Sequence, residues 1–205
     1  MIGRSALIVV DLQIDFLPGG ALAVPDGDVV VEPIRDVVES GKFPVVVATQ
    51  DWHPAGHISF ASSHPGREPF DEITLHERPQ VLWPDHCVQG SAGADMHRRL
   101  PRNPLTAIVR KGTDPDVDSY STFRHNWNAD GQRPPTGLAG FLRELGVDAV
   151  WLAGLARDYC VRWSAEDAVD AGFEVHVLWD LTRPVDPSSD AVTRTIFAGR
   201  GIIID

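Results

Sequence analysis

Apolar and polar positions fall into short blocks of two kinds along this chain. Ser5 to Val10 is an unbroken apolar run, which predicts a strand covered on both faces, as in a parallel sheet. Pro44 to Thr49, Thr106 to Arg110, Ala149 to Ala153 and Glu174 to Trp179 repeat that character, and Gly201 to Ile204 adds a last strand. Between them, apolar positions recur at helical spacing. Val29 to Ser40 is stopped by Gly41, Ala92 to Leu100 forms a short helix, and Thr136 caps a helix that runs through Leu145 to Gly146. Asp158 caps another helix running to about Ala171, and Ser188 to Ala198 forms the last. Strands alternating with helices predict a parallel sheet with right-handed crossovers.

Two stretches carry neither period. The first, about 50–91, spans roughly forty residues rich in Pro, Gly and His, a length at which a loop in a compact domain is functional or disordered. Five of the eight histidines lie in it, together with Trp52 and Trp83, and this argues against disorder. The second is an irregular insertion at about 112–135 that contains D-P-D-V-D-S-Y-S-T-F.

A length of 205 residues with 43% hydrophobic content suits one α/β domain over 1–205. A net charge of −11 with no Lys/Arg run excludes nucleic acid as a natural partner. Two cysteines make no disulfide framework, no apolar run is long enough to span a bilayer, and Met1 leads directly into a core strand, so the expected location is cytoplasmic. The oligomeric state stays open, self-association included.

Candidate chemistry sits where strands end. Asp11 follows the first strand, Lys111 the third and Cys160 the fourth, so all three should emerge on one edge of the sheet, where open α/β sheets place their ligands. Cys160 stands where a helix begins after the tight corner Gly154 to Arg157, and a helix N-terminus favours thiolate and offers donors to an oxyanion. A carboxylate and an ammonium beside a thiol supply a base and a counter-ion. By themselves these residues also fit a buried packing cysteine beside a Lys–Asp ion pair. In the long loop, Asp51 and His53 are two apart in an extended segment and project together, with His86 available from the far end. One carboxylate and two imidazoles suit zinc, iron or manganese. His57 is a candidate fourth ligand or a residue that orients one of the others.

Several segments together resemble nicotinamidases of the isochorismatase-like hydrolase superfamily: V-V-D-L-Q-I-D-F at 9–16, A-T-Q-D-W-H-P at 48–54, W-P-D-H-C-V-Q-G at 83–90, K-G-T-D-P-D-V-D-S-Y-S-T-F at 111–123 and G-L-A-R-D-Y-C-V at 154–161. They span nearly the whole chain, and the metal-loop pair and the Lys-Gly motif separate nicotinamidases from metal-free relatives. The resemblance implies a three-layer αβα sandwich with a six-stranded parallel sheet. It implies a catalytic triad of Asp11, Lys111 and Cys160, and one divalent metal ion on Asp51, His53 and His86. A cis peptide before Ala156 would set the Ala156 and Cys160 N–H groups side by side as an oxyanion hole. The activity implied is hydrolysis of nicotinamide, or a related pyridine or pyrazine carboxamide, through a Cys160 thioester. Phe16, Trp83 and Tyr159 would wall the ring. Ile14 and Arg157 depart from the family's usual Asn and Thr, and the segment Arg124 to Pro135 with Trp127 has no assigned role. The rival readings are an amidase of the same superfamily acting on carbamoyl or ureido compounds, isochorismate hydrolysis, and a non-catalytic binder on the same fold.

Overall fold

The computed structural model describes residues 4–205, so the first three residues of the expected domain lie outside it. The apolar runs form strands β1 (Arg4–Val10), β2 (Val45–Asp51), β5 (Ala107–Lys111), β6 (Val147–Leu155), β7 (Glu174–Arg183) and β8 (Ile203–Ile204), all parallel in one six-stranded sheet ordered β5-β2-β1-β6-β7-β8. Alternation along β1 sends its side chains to opposite faces. Leu7 and Val9 pack on the side of helix α1 (Val31–Glu39), whereas Ala6, Ile8 and Val10 meet α2 (Leu138–Glu144), α3 (Arg162–Asp170) and α4 (Asp190–Arg200). Both faces of the sheet are therefore covered, giving the expected three layers, and this is why the strand read as continuously apolar.

The strand order fixes where a ligand can sit. The chain winds outward from β1 through β2 to β5, then returns to lay β6 against the other side of β1. The crevice at the carboxyl ends of β1 and β6 is the switch point of an open α/β sheet. Asp11 and Cys160 flank it. Gly154 lets β6 close on β1 there: its φ is +117°, and a Cβ would lie 2.0 Å from the Val10 carbonyl oxygen.

Three local expectations are corrected. Ala92 to Leu100 is a series of turns, because its own backbone bonds are isolated i to i+3 turns and the rest go to the segment after β1. His97 N donates to Leu12 O at 2.7 Å, and Gln13 pairs with Met96 in an isolated bridge. The long loop is less irregular than its composition suggests, since it contains a hairpin of β3 (Glu72–Leu75) and β4 (Arg78–Val81). Asp158 does not cap α3. The corner after β6 continues as a π-helical turn, Arg157–Val161, and the Asp158 carboxylate accepts from Val185 N and Asp186 N, both at 2.9 Å, tying that turn to the segment after β7.

Candidate active site and metal centre

Asp11 leaves β1 in the left-handed region at φ +45°, a conformation that a non-glycine residue keeps only when its surroundings enforce it. Thr49 on β2 supplies that enforcement. Its hydroxyl oxygen accepts from Asp11 N at 3.1 Å and donates to Asp11 Oδ1 at 2.6 Å. The other carboxylate oxygen, Oδ2, accepts no well-angled hydrogen bond and lies 2.9 Å from Lys111 Nζ. Lys111 is fully buried, and its ammonium also reaches Asp51 Oδ1 at 2.6 Å, Ser119 O at 3.0 Å and Cys160 Sγ at 3.5 Å. The Cys160 sulfur stands within 4.8 Å of carboxylate oxygens of both Asp11 and Asp51. All three strand-end residues thus meet at one point.

The charges there have a definite balance. Burial alone would lower Lys111, but Asp11 and then Asp51 outweigh it, and the ammonium is held well above its ordinary range. Burial raises Asp11 against the pull of Lys111, with Asp51 adding to the rise. Burial likewise pushes Cys160 well above an ordinary thiol; Lys111 opposes this, and the two carboxylates reinforce it. The helix-terminus expectation of a resting thiolate is therefore corrected. Burial outweighs the ammonium and the short turn, so the sulfur holds its proton more tightly than an ordinary thiol, with the Asp11 carboxylate as a nearby acceptor.

Across the pocket, the carboxylate and imidazoles of Asp51, His53 and His86 converge, each pair of ligand atoms within 4.8 Å. His53 Nε2 and His86 Nε2 face the same oxygen, Asp51 Oδ2, at 3.6 and 3.8 Å. Their other nitrogens lie 3.0 Å from Gly112 O and 2.8 Å from Pro84 O. A carbonyl only accepts, so each Nδ1 carries a proton, which leaves each Nε2 as the nitrogen that can offer a lone pair to a cation. One carboxylate and two oriented imidazoles, all buried, fit a divalent cation. His57 does not join this set. Its Nδ1 is taken by Ser59 Oγ at 2.8 Å and its Nε2 faces Val117 O at 3.3 Å, while its ring packs on His53 at 4.3 Å between centroids. Burial and the neighbouring His53 push His57 down to about 4.

Cys160 of the first set and Asp51, His53 and His86 of the second line one pocket. Phe16, Trp83 and Tyr159 line it, along with Ala156 and Cys160. Trp83 and Tyr159 meet edge to face at 4.8 Å, and Phe16 packs against the His86 ring at 5.6 Å. The Leu155–Ala156 peptide is cis.

A sequence profile of the isochorismatase domain matches residues 5–199. The chain belongs to the isochorismatase family. Among curated family members, a nicotinamidase of Acinetobacter baylyi is 48% identical over 183 residues, covering 89% of this chain and 83% of that protein. The solved nicotinamidase–pyrazinamidase of Acinetobacter baumanii superposes with a TM-score of 0.92 at 43% identity, covering 98% of this chain and 95% of the other. A yeast nicotinamidase bound to the inhibitor nicotinaldehyde gives a TM-score of 0.88 at 31% identity, covering 98% and 99%. A pyrazinamidase of Pyrococcus horikoshii in complex with zinc gives 0.79 at 37%, covering 98% of each chain.

Within this isochorismatase-family site, several residues were not singled out from sequence. Thr49 gave no signal, being one more β-branched residue in a strand. Tyr120, in the D-S-Y-S-T-F motif, lines the pocket and accepts from Trp83 Nε1 at 3.2 Å. Asp118 lines it too, with its oxygens held by Ser119 N and Gln80 Nε2, both at 2.7 Å. Arg157, one of the family departures, neither reaches the sulfur nor points to solvent. It is buried over Trp179, donating to Thr182 Oγ1, Trp179 O, Thr182 O and the Asp190 carboxylate. The Trp127 insertion packs against Trp163, which in turn packs on Tyr120.

Proposed function

We propose that this chain hydrolyses nicotinamide to nicotinate and ammonia, with related pyridine and pyrazine carboxamides as further substrates. The observation that carries the reading is the shared pocket: the Cys160 thiol, backed by the buried Asp11–Lys111 ion pair, shares an aromatic-lined space with the imidazoles of His53 and His86. Asp51, His53 and His86 hold the metal, zinc in the first place and iron or manganese by the same donor chemistry. A cation held there would supply a Lewis acid beside the substrate ring. Phe16, Trp83 and Tyr159 confine the ring, so that its carboxamide is presented to Cys160.

Asp11 Oδ2 takes the Cys160 proton as the sulfur forms its bond to the amide carbon. The N–H groups of Ala156 and Cys160 receive the carbonyl oxygen as it becomes negative. Asp11 then delivers that proton to the amide nitrogen, the C–N bond breaks, and ammonia departs, leaving a thioester on Cys160. A water that gives its proton to Asp11 opens the thioester, nicotinic acid leaves, and the proton returns to the sulfur. Lys111 remains an ammonium throughout and offsets the negative charge that moves between Asp11 and Cys160. A cytoplasmic location suits a nucleophile that must stay reduced.

The test follows ammonia and nicotinate from purified, metal-loaded protein given nicotinamide; the two should appear one for one. Cys160→Ala should release neither while still binding zinc. Ammonia at the wild-type rate from that variant would remove the sulfur from the scheme, and a metal-loaded wild type inert toward nicotinamide would overturn the substrate.

A further inference from the structure

The segment just beyond Asp11 carries two polar side chains outside the pocket lining, yet each grips the backbone beside a metal-binding residue. Gln13 is buried and holds both sides of Asp51: its Oε1 accepts from Asp51 N at 2.8 Å and its Nε2 donates to Asp51 O at 2.8 Å. Asp15 reaches the opposite end of the long loop. Its Oδ2 accepts from Cys87 N at 2.7 Å, and its Oδ1 accepts from Ala21 N at 3.2 Å. That carboxylate has no freedom to wander. Asp15 N is anchored to Gly93 O at 3.0 Å, and its oxygens press so closely on Gly93 that a Cβ there would lie 2.2 Å from Oδ2.

Cys87 is the hinge between the two imidazoles. It follows His86 directly, and its carbonyl accepts from His53 N at 3.0 Å, while Gln89 N donates to His53 O at 2.8 Å. The residue adopts φ +46°, which for a residue with a Cβ persists only when neighbours impose it. The imposed bond at this peptide comes from Asp15.

We infer that Asp15 is a positioning residue for the metal centre, holding the left-handed turn at Cys87 that sets His86 opposite His53. This rests on Asp51, His53 and His86 being the metal ligands. Partners that orient metal ligands from behind typically shift affinity by about 10- to 100-fold when removed, and Asp15→Ala should weaken zinc binding by that amount. Asparagine can accept from only one of the two N–H groups, so Asp15→Asn should fall between the wild type and alanine.

Zinc affinity of the full chain is measured by competition with a chromophoric chelator for the wild type, Asp15→Ala, Asp15→Asn and His86→Ala. The alkylation rate of Cys160 is followed in the zinc-free proteins. Weakened zinc binding in both Asp15 variants with an unchanged alkylation rate supports the inference. Wild-type affinity in Asp15→Ala, beside lost affinity in His86→Ala, overturns the role of Asp15 and leaves the ligand set standing. Wild-type affinity in His86→Ala overturns the ligand set itself. A parallel fall in alkylation would mean general loosening of the sheet edge and also overturns the inference. If Asp15→Ala fails to fold, Asp15→Asn decides: affinity below wild type supports it, and equal affinity overturns it.

Discussion

Replacing Lys111 by methionine keeps an unbranched side chain one atom shorter and removes the ammonium with its hydrogen bonds. In the metal-free protein this leaves Asp11 and Asp51, both buried, with no ammonium between them, where Nζ now stands 2.9 and 2.6 Å from their oxygens. Removing one partner of a buried pair costs about 3–5 kcal/mol, because the remaining charge is stranded in a poorly solvated site. For a chain of this length each kcal/mol lowers the melting temperature by about 2–4 °C, so the expected fall is about 6–20 °C. The loss must also grow with pH. Burial would raise Asp51, but Lys111 and then His53 overcome it and hold its carboxyl well below the usual range. A carboxyl depressed in this way contributes stability above its unfolded pKa, and that contribution disappears as pH falls through the folded value. Without the lysine, Asp51 joins Asp11 on the raised side, and a raised carboxyl costs more stability as pH climbs above its unfolded value. Urea unfolding with chelator present, at pH 5 and pH 8, measures this directly. A deficit at pH 8 below about 1 kcal/mol, the worth of an exposed pair, or one equal at both pH values, would refute the reasoning.

Two other substitutions probe the frame around the nucleophile. Gly154→Ala puts a Cβ 2.0 Å from Val10 O at φ +117°, so β6 can no longer close on β1; thermal unfolding should show a loss beyond the 1–3 kcal/mol typical of about one strained residue. Arg157→Thr, which installs the family's usual residue, strips four polar partners from the turn that carries Cys160; urea unfolding should show a loss of at least about 1.5–3 kcal/mol, the worth of one hydrogen bond to a charged group, and an unchanged midpoint would mean that the guanidinium holds nothing in place.

The sheet and the nucleophile's partners were legible because one property encodes both. A parallel strand buried on two faces is a continuous apolar run, and the first charged residue after it must stand at the sheet's edge; Asp11 and Lys111 are found by that rule, and Cys160 by its place at the helix start after the Gly154 corner. The hairpin of β3 and β4 was hidden because its residues are half-exposed and Pro79 interrupts it. The stretch 92–100 looked helical because Ala, Met, Arg and Leu favour helices, but propensity is weak beside tertiary bonds, and Leu12 and Gln13 offered the backbone better partners. Asp158 failed as a cap for a similar reason. Its carboxylate found two N–H groups after β7, and nothing in the local sequence announces an acceptor used so far along the chain.

What spacing concealed most completely is that Asp51 belongs to both halves of the site. Read as D-x-H, it is a metal ligand and nothing more. In the fold its two oxygens divide the work, Oδ1 on the Lys111 ammonium and Oδ2 toward the two imidazoles. The register of β2 against β5 makes this unavoidable, since Asp51 is paired directly with Lys111. The Cys160 sulfur and the Asp51, His53 and His86 cluster are consequently one electrostatic unit with a single shared carboxylate. Charge lost or gained at the imidazoles is felt by Lys111, and through it by Asp11 and Cys160, within a space where burial leaves little water to screen it. A substitution at Asp51 should therefore never behave as a pure metal-affinity variant. It must also alter the reactivity of Cys160 with metal absent, which substitutions at His86, on the far side of Oδ2 from the lysine, should do far less.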